Sequence, residues 1–169
     1  MEDQLAIIIE AGIGLAGFAG VTVVLSGSPE TWSPAEKLRV SSMLIAIFSS
    51  VFCALLSVTL AQLVSDDMAV RLGAVVAALC AMSTVSRFLL IAGKRIGWDE
   101  PTLNRTIATA FSMCSYIFGF FAIGGALGVA SNVSFWFFLV LVWLLFGGAV
   151  LFIRILFVRP GSTLEKPTD

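Results

Sequence analysis

In this chain of 169 residues, 59% are apolar, only 12% are charged and mean hydropathy is +1.02. That is far from the roughly half-apolar, quarter-charged balance of soluble domains, and it excludes an ordinary soluble fold. A net charge of -1 excludes a strong nucleic-acid footprint, and the length allows one compact bundle over residues 1–169 with no separate soluble domain.

Five apolar stretches, about 5–26, 40–64, 68–93, 106–130 and 133–158, are long enough to cross a hydrocarbon core of ~30 Å, for which about twenty residues are needed as helix. The expected fold class is all-α: an integral membrane bundle of five transmembrane helices with a short tail at 159–169. The start, Met1-Glu2-Asp3-Gln4, is acidic, whereas a cleavable signal peptide begins with basic residues, so the first apolar run is read as a retained span.

That run, "IIIEAGIGLAGFAG", sets a carboxylate, Glu10, ahead of Gly12, Gly14, Gly17 and Gly20. In lipid there is little hydrophobic drive between helices, and small residues that permit close backbone approach take its place. Gly12, Ala16 and Gly20 recur every four residues as one such face, widened by Gly14 and Gly17. It serves packing within the bundle or a homo-oligomer interface, and the small-residue run from Gly119 to Gly128 is a candidate partner for it. An ionised group in hydrocarbon costs ~3 kcal/mol or more and therefore faces the bundle interior or water. Glu10 lies about 9 Å into its span at ~1.5 Å per residue, and Arg71 enters the third span from the same side to a similar depth. The two are expected to pair; an interfacial carboxylate against headgroups, or a proton or cation site, are the alternatives for Glu10.

The connections carry cap chemistry. In "WSPAEKLR", Ser33, Pro34 and Glu36 form a capping-box pattern that starts the second helix before the membrane begins. Ser65-Asp66-Asp67 places a cap and two acids at the start of the third helix, and Ser131-Asn132 leaves a tight turn before the fifth. Arg87, about seven residues from Lys94, is placed to snorkel toward the surface, with interior pairing or anion binding as the alternative; Arg154, nearer its helix end, reads as snorkelling. Trp32, Trp98 and Trp136 suit interfacial anchoring, while Trp143, in mid-span, faces either lipid or the interior. Cys53, Cys80 and Cys114 have no C-x-x-C spacing and no histidine to share a metal, and read as small apolar fillers.

Lys37, Arg39, Lys94, Arg95, Arg105, Arg159 and Lys166 collect on one side and Arg71 alone on the other, which predicts the N-terminus outside and the C-terminus in the cytoplasm. In that topology Asn104-Arg105-Thr106 faces the cytoplasm and Asn132-Val133-Ser134 is pressed against the membrane, so neither sequon is a glycosylation site. The two longer loops, "WSPAEKLR" and "WDEPTLNR", repeat Trp and Arg at a spacing of 66 residues. That is consistent with two parallel hairpins plus a fifth helix, as in some transporters, but the match rests on a few positions of the interfacial kind that any membrane loop favours.

The "AGFAGV" of the first span followed by "WSPAEKLR" resembles small bacterial multi-span membrane proteins over roughly the first 40 residues. The resemblance implies a bacterial inner membrane and carries no activity or site residue with it. The sequence has no histidine, no G-x-S-x-G and no carboxylate cluster within a span, so an intramembrane enzyme is disfavoured. All five prolines lie outside the spans, which leaves transport resting on Glu10 as a proton or cation ligand and Arg87 as an anion contact. The expectation is a noncatalytic bundle, self-associating or an accessory subunit of a membrane complex, with the lipid bilayer as its medium and no cofactor.

Overall fold

The structure, a computed structural model, describes residues 2–25, 32–96 and 105–157. Five helices run through it: α1 (Glu2–Leu25), α2 (Pro34–Ala61), α3 (Asp66–Ile91, continued by a π-helical turn, Ala92–Ile96), α4 (Arg105–Ala126) and α5 (Val133–Phe157). Each is long and apolar enough to cross a membrane, so the chain is a multi-pass helical membrane protein. Trp98, Asn104, Arg159, Lys166, the tail and most of the second tryptophan loop lie outside the described residues, as does the side chain of Arg95.

The helix starts follow the cap chemistry. Ser33 accepts from the Glu36 backbone N–H at 3.2 Å while the Glu36 carboxylate accepts from the Ser33 N–H at 2.7 Å, and α2 accordingly begins at Pro34, well before the apolar run. Ser65 has the extended backbone of an N-cap but makes no side-chain cap bond. The end of the fourth helix is shorter than expected: α4 stops at Ala126 rather than near 130. Val129 and Ala130 both donate backbone N–H groups to Gly124 O, at 2.9 and 3.1 Å, and Gly128 takes a positive φ of 79°. This left-handed residue, cheap for glycine, ends the helix and starts the turn to α5. Asn132, with φ 59°, completes it.

The helices are joined up and down, so one end of the bundle holds the α2–α3 and α4–α5 turns together with the start of α1. The other holds Lys37, Arg39, Lys94, Arg105 and Arg154 and is called here the basic end. α5 packs on all four other helices and α3 on α2, α4 and α5; α1 is peripheral, packed on α2 and α5. The reason lies in residue size. Ala69, Ala74, Ala77, Ala78 and Ala81 are all buried on α3, and small side chains let three neighbours approach one helix. At Gly73 the approach is closest: an added Cβ would run into Ser57 Oγ and stand 3.2 Å from the Phe137 ring.

Contrary to expectation, the Gly119–Gly128 run does not receive the glycine face of the first span. Gly119 takes the side chain of Met82 from α3, and Gly125 lies against Val133 of α5. Polar bonds between helices add direction to this packing. Ser50 donates to Leu141 O at 3.0 Å, Ser86 and Tyr116 share a hydrogen bond at 2.6 Å, and the Trp143 indole donates to Ser115 Oγ at 2.8 Å.

Candidate functional site

The face of α1 that meets the bundle is made by Leu5, Ile8, Gly12 and Ala19, all buried, with Ala16 half-buried beside them. Gly12 is the close contact: a Cβ there would overlap the Val51 side chain of α2 and come within 3.5 Å of Leu145 of α5. The predicted small-residue face is thus split. Gly12 and Ala16 turn inward, while Gly14, Gly17 and Gly20 are exposed, and a Cβ at any of those three would meet nothing within 4 Å. At 100° per residue, Glu10, Gly14, Gly17 and Val21 fall on one stripe almost opposite Gly12 and Ala19. Glu10 is exposed on that stripe. The first span therefore directs Glu10 and three of its glycines away from the rest of the described residues.

The expected Glu10–Arg71 pair is not formed. Arg71 instead donates from Nε to Asp67 one turn earlier at 2.7 Å and from Nη1 to Ala126 O at 3.1 Å, the carbonyl that closes α4. Two physical reasons select this arrangement. An i, i+4 acid needs no long-range closure to reach the guanidinium, and a cation at a helix C-terminus meets unsatisfied carbonyls and the negative end of the dipole. α1, moreover, packs on α2 and α5 and does not bring Glu10 to α3. Asp67 at four residues before Arg71 was a readable signal for the correct partner.

Arg87 is exposed on α3, where its long stem can carry the charge along the helix surface. Arg154, in the last turn of α5, is half-buried and lines a cleft between α4 and α5 that is floored by α2 and α3. The cleft has a volume of about 100 Å³. Trp143 lines it near mid-span, stacked on Phe111 with ring centroids 4.4 Å apart and edge-on to Phe118 at 5.1 Å, which assigns its indole to the α4–α5 contact. No inference from the sequence singled out this cleft. Its trace was nonetheless there: Trp143, Gly147, Val150 and Arg154 share one helical stripe, a ring and a cation separated by a residue with no side chain.

Cys53 is buried and Cys80 and Cys114 half-buried, all as free thiols. Trp136 stacks on Phe121 at 4.5 Å near the α4–α5 turn. No family model, curated protein or solved structure matches the chain.

Proposed function

We propose that this protein is a noncatalytic subunit of a bacterial inner-membrane complex, which holds a transmembrane helix of another subunit against the outward face of α1. Its N-terminus lies outside and its basic end in the cytoplasm, the orientation favoured by the Lys and Arg distribution. One observation carries the reading: Glu10, Gly14 and Gly17 are exposed together on the stripe of α1 that points away from the rest of the described residues. Left against lipid, an ionised Glu10 would cost ~3 kcal/mol or more. A partner helix fits both features, its backbone approaching over the glycines and a hydrogen-bond donor or cation meeting the carboxylate.

A second copy of this chain is the poorer complement. In a parallel pair joined by α1, the two Glu10 carboxylates would stand at one depth and face each other, and like charges in such a site resist ionising together. A transport role for Glu10 calls for a carboxylate on an interior path, and the outward stripe does not support that.

Native mass spectrometry of the protein gently extracted from its own membrane tests the proposal. A particle containing this chain and a defined second protein is expected, with the second protein lost in Gly17→Leu. A lone monomer, or a homo-oligomer indifferent to Gly17→Leu, would overturn it.

A further inference from the structure

The cleft between α4 and α5 brings an apolar hollow and a cation together. Its walls are mostly apolar, with Ala46, Ala81, Val85, Phe88, Leu144 and Leu151 among the lining residues. Of the four hydroxyls that touch it, those of Ser42, Thr84, Ser112 and Ser115, the last three are already engaged. Thr84 donates to Cys80 O at 2.8 Å, Ser112 to Ala108 O at 2.6 Å and Ser115 to Phe111 O at 3.0 Å, and Ser115 also accepts the Trp143 indole N–H. At about 100 Å³ the hollow is several times the ~10–15 Å³ that one water needs, yet it offers water few of the 2–4 polar partners that would hold it. Its natural filling is hydrocarbon.

Its length and its charged end identify which hydrocarbon. From Trp143, the first α5 residue of the lining, to Arg154, the last, the eleven-residue step spans about 16 Å at ~1.5 Å per residue, close to half of a ~30 Å hydrocarbon core. That is the depth of one leaflet. Arg154, in the last turn of α5, supplies a positive charge, and among the described residues no carboxylate pairs with it. Arg105 and the N-terminus of α4 lie at the same end of the bundle. A basic end of this kind attracts anionic headgroups.

We propose that the α4–α5 cleft is a binding site for an anionic phospholipid of the leaflet at the basic end. One acyl chain runs inward past Ile107 to the Phe111–Trp143 stack, and the phosphate meets the Arg154 guanidinium. The site lies on α4 and α5 and is independent of the outward face of α1.

The test is lipid binding by the full chain in detergent, followed by native mass spectrometry against titrated phosphatidylglycerol and, separately, phosphatidylcholine. One phosphatidylglycerol should bind in preference to phosphatidylcholine, and Arg154→Gln should weaken it about fivefold, toward the phosphatidylcholine level. Ala108→Phe, which fills the cleft, should abolish the preferential binding, and inorganic phosphate alone should not compete. Phosphatidylglycerol with a brominated acyl chain should quench indole emission in the parent protein and lose most of that quenching in Trp143→Phe. This reading does not depend on the filled variant folding. Equal binding of the two lipids, an unchanged Arg154→Gln, competition by free phosphate, or quenching that survives Trp143→Phe would each overturn the proposal.

Discussion

α1 and α3 are both apolar helices studded with small residues, and the bundle treats them in opposite ways. On α3 the small residues face inward: Ala69, Gly73, Ala74, Ala77, Ala78 and Ala81 are buried against α2, α4 and α5. On α1 Gly12 and Ala19 do the same work, but Gly14, Gly17 and Gly20 look outward into open space. Their charges divide likewise. Arg71 of α3 is held by Asp67 and Ala126 O, whereas Glu10 of α1 is exposed on the outward stripe. A small residue in a membrane helix thus has two meanings, a contact already made or a contact left available, and only the neighbours tell them apart.

The sharpest way to break this comparison is to enlarge one residue of each kind. Gly73→Val places branched atoms against Ser57 Oγ and the Phe137 ring, where the helices have no slack. Overpacking of that sort costs about 1–3 kcal/mol or more, so a lowered unfolding midpoint in detergent is expected. An unchanged midpoint would mean that α3 is not closely packed at Gly73. Next in size is Arg71→Gln, which removes both an i, i+4 ion pair and the capping of α4. The pair is partly exposed and adds at most ~0.5 kcal/mol; the cation at the α4 terminus adds about 0.3–1 kcal/mol. A loss near 1 kcal/mol is expected, and Asp67→Asn, which removes the ion pair and leaves the α4 cap, should lose only the smaller share. If Glu10→Gln and Arg71→Gln proved strongly non-additive, the pairing rejected by the geometry would return.

Much of the fold was legible because hydrophobic length and cap chemistry are local. The five spans followed from twenty-residue apolar runs, and the start of α2 from Ser33, Pro34 and Glu36, which bond one another across a single turn. The end of α4 was misplaced because hydropathy continues through Leu127 and Val129, while the backbone turns at Gly128. Depth along the membrane suggested the Glu10–Arg71 pair, yet depth says nothing of azimuth. The two groups sit at similar heights on helices that do not pack on each other. The cleft beside Arg154 needed knowledge that α4 and α5 are neighbours and that Gly147 is where they meet, since a Cβ there would lie 2.7 Å from Phe111. Such a feature belongs to pairs of helices and is not visible on either one alone.

The smallest effect on the bundle is expected from Gly17→Leu and Glu10→Gln, and that smallness is what gives them their use. Both positions are exposed, and a side chain added at Gly17 meets open space. Surface changes of this kind usually stay within ±0.5 kcal/mol, and replacing a glycine inside a helix offsets part of any loss. Unfolding midpoints should therefore match the parent protein. Association should not: a leucine at Gly17 lifts the partner helix off the backbone, and an amide at Glu10 removes the charge that a donor would meet. Co-extraction of the partner, read against an unchanged midpoint, separates a face made for contact from one made for lipid. If both variants kept the partner, Gly14 and Gly17 would be lipid-facing residues like the exposed Phe18 and Val21 beside them. If Gly17→Leu released it and Glu10→Gln did not, close backbone approach would account for the contact, and the carboxylate would have only the bilayer for a neighbour.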